Sequence, residues 1–341
     1  METTHTDDCP KPKRTFLKSL DGVTIALYGQ ASGDWSTRSW EPDTSVELRN
    51  NLPTYQRLSR IGEKFGAQSI YFPRPDKFNG KIDASCLNAE SDTLPTADKW
   101  HKIRTNGSKT TILRGPLVDG AIFGPGQGFF INSADCPTIV ARYLGMTIAT
   151  HAGRECLYDK CLAQTGKKTE GREHESVVFA IVDTFKQLAT KRGVTFNPNG
   201  IHVFITCGIA GKNFEHRLDH PNFGPANRRM IPHLLQSFPT LPGYPHVLKP
   251  FEAGMISLHN LARAQLHMCG VPEMNVSSDG INTYDDIVPS RAHTKNRKFI
   301  WHSYRRYEEE CALECAQSGM DPYSFSSPEC RYRNGVLVVS R

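Results

Sequence analysis

At residues 132–140 the chain reads NSADCPTIV, and at residues 148–153 it reads IATHAG. Two apolar, β-branched runs, Thr138–Tyr143 and Met146–His151, overlap these segments and are separated by a short turn that contains Gly145. Runs of this length and composition predict two buried strands. Polar residues therefore stand where neighbouring strands of a sheet begin or end, and side chains at such positions can share one crevice.

The flanking sequence mixes strand and helix patterns. Further strands are predicted at Gly22–Tyr28, Gly120–Phe123, Gly128–Asn132 and Ile201–Thr206. Apolar residues at helical spacing predict helices at Val46–Phe65, interrupted or started near Pro53, at Gly171–Gly193 and at Met255–Cys269. Such a mixture indicates an α/β or α+β fold.

The length of 341 residues allows about two domains, or one large domain with insertions. Residues 1–14 hold two prolines and no apolar period, so we expect a flexible leader there and a folded domain over 15–341. Residues 73–109 are rich in Asp, Asn, Ser, Pro and Gly, which predicts a long loop or insertion.

Composition excludes several classes of protein. The chain is 38% hydrophobic and 22% charged, as expected of a folded soluble protein, and it has no apolar run of about 18 residues and no signal-peptide core. We therefore expect a cytoplasmic protein that neither spans a membrane nor is secreted. A net charge of +6 spread along the chain suits anionic small molecules as well as it suits nucleic acid, and we expect a small-molecule substrate rather than a nucleic acid. Ten cysteines are too few for a disulfide scaffold.

Three residues are candidate metal ligands, and two of them lie at predicted strand ends. Cys136 follows one strand, His151 ends another, and His101 lies in the polar segment before them. One thiolate and two imidazoles form the three-ligand set of a catalytic zinc that keeps a fourth position open. The alternative is that Cys136 is a small buried apolar residue, and spacing alone does not decide between the two.

The paired Ala134-Asp-Cys136 and His151-Ala-Gly153 segments resemble the paired motifs of the YfiH-like, or laccase-domain, family. Further segments resemble this family's motifs in the same order, namely Val118–Ala121, Gly208–Glu215, Asn260–Val271, Thr283 and Phe299–Arg306. The resemblance runs from about residue 45 to the C-terminus. It implies a single laccase-domain fold with mixed β-sheets flanked by helices.

The resemblance also implies a zinc ion. Members of the family bind zinc through a His, the Cys of Ala-Asp-Cys and the His of His-Ala-Gly, which correspond to His101, Cys136 and His151 here. For the first ligand another alignment is open, which places Arg74-Pro75-Asp76 there and makes Asp76 the ligand or leaves none. We prefer His101 because imidazole suits zinc.

The family activity implied is phosphorolysis of purine nucleosides, with adenosine deamination as a further possibility, so the expected ligands are a purine nucleoside and phosphate. Arg154, Arg305 and Arg306 are the candidate phosphate ligands because a guanidinium matches phosphate oxygens bidentately. Asp135 is a candidate acid/base or a group that orients a ligand beside the metal. Two other functions stay open: an amidase that edits peptidoglycan precursors, and a degraded relative that only binds a nucleotide or a partner.

Each candidate also has a purely structural interpretation. Arg305 and Arg306 precede an acidic run, Glu308–Glu310, and so fit the start of a solvated helix. Asp135 fits a cap. The pairs Cys156 with Cys161 and Cys311 with Cys315 are interpreted as structural because no second Cys-x-x-Cys pair accompanies them. The family's residues after His-Ala-Gly and in the loop at Lys212-Asn213 differ here, so the resemblance carries over least to the substrate.

Overall fold

In a computed structural model of the protein, the described residues are 14–32, 34–37, 44–74, 80–84, 100–115, 117–221, 223–236, 245–286, 299–318 and 332–341. All but the last residue of the expected leader 1–14, and much of the segment 73–109, lie outside these ranges. Among the helices described, none combines the length and the apolar character that crossing a membrane requires.

Thirteen described strands form two mixed sheets. The strands are β1 Phe16–Leu20, β2 Val23–Tyr28, β3 Ser69–Phe72, β4 Ile82–Asp83, β5 His101–Ile103, β6 Thr111–Arg114, β7 Gly120–Phe123, β8 Gln127–Ser133, β9 Thr138–Tyr143, β10 Met146–His151, β11 His202–Ile205, β12 Val276–Ser278 and β13 Asn334–Ser340. The larger sheet has the order β1-β2-β13-β8-β3-β6-β5, and the smaller has the order β12-β11-β9-β10-β7-β4. Both contain parallel and antiparallel pairs.

Eight described helices flank the sheets. They are α1 Thr44–Lys64, α2 Arg154–Leu157, α3 Lys160–Thr165, α4 Val177–Lys191, α5 Gly224–Leu235, α6 Pro245–Glu252, α7 Leu258–Met268 and α8 Tyr304–Gln317. The predicted interruption near Pro53 is confirmed, because α1 is kinked at Asn51, whose backbone is not helical. Proline within a helix removes a hydrogen bond and clashes with the preceding turn, which explains the kink.

Two helices begin later than their predicted bounds, Gly171 and Met255. Helix α4 starts at Val177 because the Ser176 hydroxyl accepts a hydrogen bond from the backbone N–H of Val178. Helix α7 starts at Leu258 because Ser257 caps it in the same way. A serine cap satisfies backbone N–H groups that have no partner within the helix, and it thereby fixes where the helix begins.

Three buried clusters show how the layers pack. Alternate residues of β2 point to opposite faces, so Ile25 packs between the two sheets and Tyr28 packs toward α1. On the outer face of the smaller sheet, Ile181 of α4 and Leu261 of α7 pack against Ile148 of β10. The expected α/β fold, with two mixed sheets flanked by helices, is confirmed, and the smaller sheet is buried on both faces.

The segment 73–109 is not entirely loop. Its described part contains β4, which pairs in parallel with β7, and β5, which pairs with β6. Of the two alternatives predicted, a long loop is wrong for these residues, and an insertion stays a prediction. Strands of two and three residues in a polar stretch leave no periodic pattern, and they form because an existing sheet edge offers hydrogen-bond partners.

Candidate metal centre

Two neighbouring strands place Cys136 and His151. The last residue of β10, His151, pairs with Thr138, the first residue of β9, and Cys136 lies two residues before Thr138. Both residues therefore stand at the same end of this antiparallel pair. The Sγ atom of Cys136 and the imidazole of His151 border the same space beside Gly153. The structure thus brings together two of the three predicted ligands, and their role as ligands stays a prediction.

The absence of a side chain at Gly153 leaves space beside both residues. A Cβ atom there would lie 2.8 Å from Cε1 and 3.3 Å from Nε2 of His151, and 3.0 Å from Sγ of Cys136. Contacts this short would push the imidazole or the thiol out of place. Glycine therefore keeps open a small space whose walls carry one sulfur and one imidazole nitrogen.

The other ring nitrogen of His151 faces two buried side chains. Asp119 lies directly before β7, and its Oδ1 is 3.7 Å from His151 Nδ1. The thiol of Cys156 donates to Asp119 Oδ1 at 3.5 Å and lies 3.4 Å from His151 Nδ1. The second carboxylate oxygen, Oδ2, accepts a hydrogen bond from the backbone N–H of Gly80 at 2.6 Å. The carboxylate is thus fixed and in turn fixes the ring.

Burial and neighbouring groups set the protonation of this centre. Burial raises the pKa of Cys156 to about 12. For His151, burial by itself lowers the pKa, but the neighbouring Cys156, Cys136 and Asp119 outweigh it and raise the pKa well above its usual value. A metal ion bound to the imidazole must therefore displace a proton.

This buried group of side chains could bind a metal ion. The ligand atoms of Asp119, His151 and Cys156 all lie within 4.8 Å of one another. Asp119 and Cys156 are fully buried, so the Nδ1 side of His151 is closed to a substrate. Cys136, beside the Nε2 edge, is half-buried. A catalytic metal needs an open position, and a metal-binding histidine commonly directs its other nitrogen at a carboxylate. Both requirements favour a metal site between Nε2 of His151 and the sulfur of Cys136.

His101 lies elsewhere in the fold. It is the first residue of β5, at the edge of the larger sheet, whereas His151 belongs to the smaller one. It lines a cavity of about 780 Å³ together with Lys81 and Asp83. Within the described ranges, no group of three metal-ligating side chains that meets the same 4.8 Å spacing contains His101. The structure therefore does not gather His101 with Cys136 and His151, and the alternative ligand, Asp76, lies outside the described residues.

Arg154 stands at the mouth of the centre. It follows Gly153 directly, as the first residue of α2, and about a third of its side chain is exposed. Its Nη1 lies 2.7 Å from Nε2 of His216, and its Nη2 donates to Glu155 at 3.3 Å. The guanidinium is thus oriented by neighbours yet accessible to a ligand.

Asp135 links the loop of Cys136 to helix α8. Its Oδ1 accepts from the hydroxyl of Thr283 at 2.8 Å, and its Oδ2 accepts from the backbone N–H of Arg305 at 2.8 Å. Asp135 therefore does not cap a turn or helix that follows it, as the sequence suggested, but accepts from the first turn of a distant helix whose N-cap is Ser303. The side chain of Arg305 is about a third exposed, and its guanidinium carbon lies 5.7 Å from the centroid of the Phe214 ring.

Arg306 is occupied by structural contacts. Its guanidinium donates to the carbonyl oxygens of Thr283, Tyr284 and Trp301 at 3.2, 2.7 and 2.8 Å. Its guanidinium carbon is 3.7 Å from the centroid of the Phe299 ring, and the residue is 3% exposed. These contacts account for its burial, so we do not propose Arg306 as a phosphate ligand.

Three residues of this region have no role in the sequence-based prediction: Asp119, Cys156 and His216. Asp119 belongs to the segment Val118–Ala121 and lies at a strand start, so the signal that singled out Cys136 was present there too. Cys156 had been interpreted as structural, and nothing in its spacing indicates that it contacts His151. His216 follows the Phe214-Glu215 pair, and only the packing of its loop brings it to Arg154.

No family model matches the chain, and no curated protein matches its sequence. Among solved structures, the chain is similar to the hypothetical protein YfiH from Bacillus licheniformis, with 14% identity, 97% of each chain covered and a TM-score of 0.50. The resemblance to YfiH is therefore confirmed at the level of the fold.

Two other similar structures are more distant. YlmD from Geobacillus stearothermophilus has 16% identity and a TM-score of 0.44, over 94% of this chain and 93% of that one. A Neisseria meningitidis protein of the DUF152 family has 12% identity and a TM-score of 0.44, over 97% of this chain and 99% of that one.

Proposed function

We propose that this chain is a zinc-dependent enzyme that phosphorolyses purine nucleosides. The observation that carries the proposal is the pairing of Cys136 with His151 beside the partly exposed guanidinium of Arg154. The resemblance of the sequence motifs to the laccase-domain family suggests the reaction, and the YfiH-like fold agrees with that resemblance.

Cys136 and His151 supply two of the three protein ligands that a catalytic zinc takes. Thiolate sulfur and imidazole nitrogen are ligands that zinc shares with few other common ions, and the space at Gly153 opens onto both of them. Cys136 and His151 would hold the ion, and Asp119 would orient the imidazole from its other nitrogen. When bound, zinc would supply a Lewis acid that polarises a substrate oxygen.

The neighbouring cations fit an anionic reactant. Arg154 adjoins Gly153, and Arg305 is hydrogen-bonded through its backbone to Asp135, the residue before Cys136. Their ion pairs with Glu155 and Glu308 are partly exposed, at 3.3 and 3.8 Å, and such pairs are weak. A phosphate ion can therefore replace the glutamates as the partner of both guanidinium groups.

In the proposed reaction these guanidinium groups hold phosphate while one of its oxygens bonds to C1′ of the ribose. The bond from C1′ to the base nitrogen breaks, and the base leaves with that electron pair and is protonated. The products are ribose-1-phosphate and the free base. Positive charge beside the phosphate reduces the repulsion between the reactants, and a fixed orientation lowers the entropic cost.

The test is to incubate zinc-loaded protein with inosine or adenosine and inorganic phosphate. We expect the wild type to form ribose-1-phosphate and free base and Cys136→Ala to form neither. Cys161→Ala, which replaces a half-buried cysteine of α3, is the control and should form both products. Without phosphate, neither product should form. Absence of ribose-1-phosphate from zinc-loaded wild-type protein, with both nucleosides, would overturn the proposal and favour a relative that only binds ligands.

A further inference from the structure

His216 is held rigidly by the loop that carries it. Its backbone N–H donates to the carbonyl oxygen of Gly254 at 2.7 Å, and the preceding residue, Glu215, forms an isolated bridge with Met255. The imidazole packs edge-on against Phe214, with the ring centroids 4.6 Å apart, and His216 is only 5% exposed. The ring therefore has one well-defined position.

The contacts of the ring determine its tautomer. Nε2 lies 2.7 Å from Nη1 of Arg154, and a guanidinium can only donate, so Nε2 accepts. Nδ1 lies 3.2 Å from the carbonyl oxygen of Phe214, which can only accept, so Nδ1 carries the hydrogen. A neutral imidazole with the proton on Nδ1 satisfies both contacts. Burial, followed by the charge of Arg154, lowers the pKa of His216 to about 3, which agrees with this assignment.

A neutral partner has a specific consequence for Arg154. A carboxylate would orient the guanidinium but would also cancel its charge. Neutral His216 fixes the direction of Nη1 without adding a negative charge, and the ion pair of Nη2 with Glu155 is partly exposed and weak. The guanidinium of Arg305 lies 5.7 Å from the centroid of the Phe214 ring, against which His216 packs, so it adds a second positive charge to this region. This is an arrangement in which an oxyanion is attracted and the geometry is fixed before it binds.

We propose that His216 is a positioning residue that holds Arg154 ready to bind the phosphate oxygens of the reactant. The inference rests on the proposed function for the identity of the anion. It assigns to His216 no contact with the substrate and no proton transfer. Its role is to set the direction of one guanidinium without reducing its charge.

The test measures binding of inorganic phosphate by isothermal titration calorimetry to zinc-loaded wild-type and variant proteins. His216→Leu removes the acceptor, and we expect phosphate affinity to fall about 10-fold or more, because a charge-assisted hydrogen bond is lost. His216→Gln, whose amide oxygen can accept and whose NH₂ can donate, should retain most of the affinity. His216→Glu should weaken binding despite keeping an acceptor, because it neutralises Arg154.

Controls separate this role from a structural one. His202 is an exposed histidine at the start of β11, and His202→Leu should leave phosphate binding unchanged. Thermal melting and zinc content identify any variant that fails to fold. Equal phosphate affinity in folded wild type, His216→Gln and His216→Glu would overturn the inference, as would absence of phosphate binding by the wild type. Phosphate binding that depends on His216, without nucleoside turnover, would instead overturn the proposed reaction and keep the inference.

Discussion

Oδ1 of Asp119 lies 3.7 Å from Nδ1 of His151, while the other nitrogen of the same ring borders the space that Gly153 leaves beside Cys136. The imidazole is therefore held between a fixed carboxylate and a half-buried thiol. This relationship gives the ring a preferred orientation before any metal binds. It also separates the residues that orient the ring from those that would bind the metal.

Asp119→Asn tests the orienting role. The amide can no longer attract the N–H of the imidazole as a carboxylate does, so we expect zinc affinity to fall by about 10- to 100-fold. Competition with a chromophoric chelator measures this affinity. Asp219→Asn, at an exposed carboxylate paired with Arg217, is the control and should bind zinc as the wild type does. An unchanged zinc affinity in folded Asp119→Asn would contradict the role.

Gly153→Ala tests whether the space beside the imidazole is needed. The added methyl group would lie 2.8 Å from His151 Cε1 and 3.0 Å from Cys136 Sγ, so one of these groups must move. We expect zinc binding to be lost or reduced at least about 10-fold, with a destabilisation of about 1–3 kcal/mol. Gly124→Ala is the control, because its nearest neighbour, Met146 Sδ, is 3.5 Å away. Equal zinc binding by the two variants would show that the space is not used.

Two substitutions of Asp135 distinguish a structural link between its loop and helix α8 from a role as an acid/base. Asn at this position can still accept from the backbone N–H of Arg305 and can donate to the Thr283 hydroxyl, so Asp135→Asn should keep stability and activity within a few-fold. Asp135→Ala loses both hydrogen bonds and should destabilise by about 1–2 kcal/mol in urea unfolding. A loss of turnover of about 100-fold or more in stable Asp135→Asn would instead identify an acid/base.

Buried neutral histidines predict a loss of stability in acid. Burial lowers the pKa of His302 to about 4, and the pKa in the unfolded chain is about 6.5. Between these values the unfolded state binds more protons, so the free energy of unfolding falls as pH decreases, by up to about 1.4 kcal/mol per pH unit. The stability is fully present above about pH 6.5.

Urea unfolding at about pH 7 and about pH 5 measures this loss. His302→Gln cannot titrate, so the difference in unfolding free energy between the two pH values should shrink by about 2 kcal/mol. His202→Gln replaces an exposed histidine and should leave the difference unchanged. The same difference in His302→Gln and in the wild type would show that His302 is not the group responsible.

The strands around the centre could be predicted because their residues are buried and their turn is explicit. The bounds of β7, β9 and β10 agree with the apolar runs, and Leu144-Gly145 turns with positive φ at both residues. Positive φ at two central residues is the geometry of a tight hairpin turn. Local sequence therefore specifies this part of the fold, and with it the positions of Cys136 and His151.

Other features were not predicted, either because their sequence signal was overlooked or because the sequence pattern does not record the contact. Strand β13 was not predicted, although it pairs with both β2 and β8 and its run of Val and Leu residues is a strand signal. Cys156 reaches His151 through the short helix α2, and His216 reaches Arg154 through a loop fixed at Gly254. His216 and Arg154 are 62 residues apart, and Cys156 turns back to His151 only through the local geometry of α2, so periodicity reveals neither contact.

The zinc content of purified protein, measured by elemental analysis for the wild type, Cys136→Ala and Cys161→Ala, tests the central claim most directly. We expect about one zinc per chain in the wild type and in Cys161→Ala, and close to none in Cys136→Ala, because removing the thiolate leaves too few ligands. Equal zinc content in wild type and folded Cys136→Ala would contradict the claim that Cys136 and His151 hold the metal.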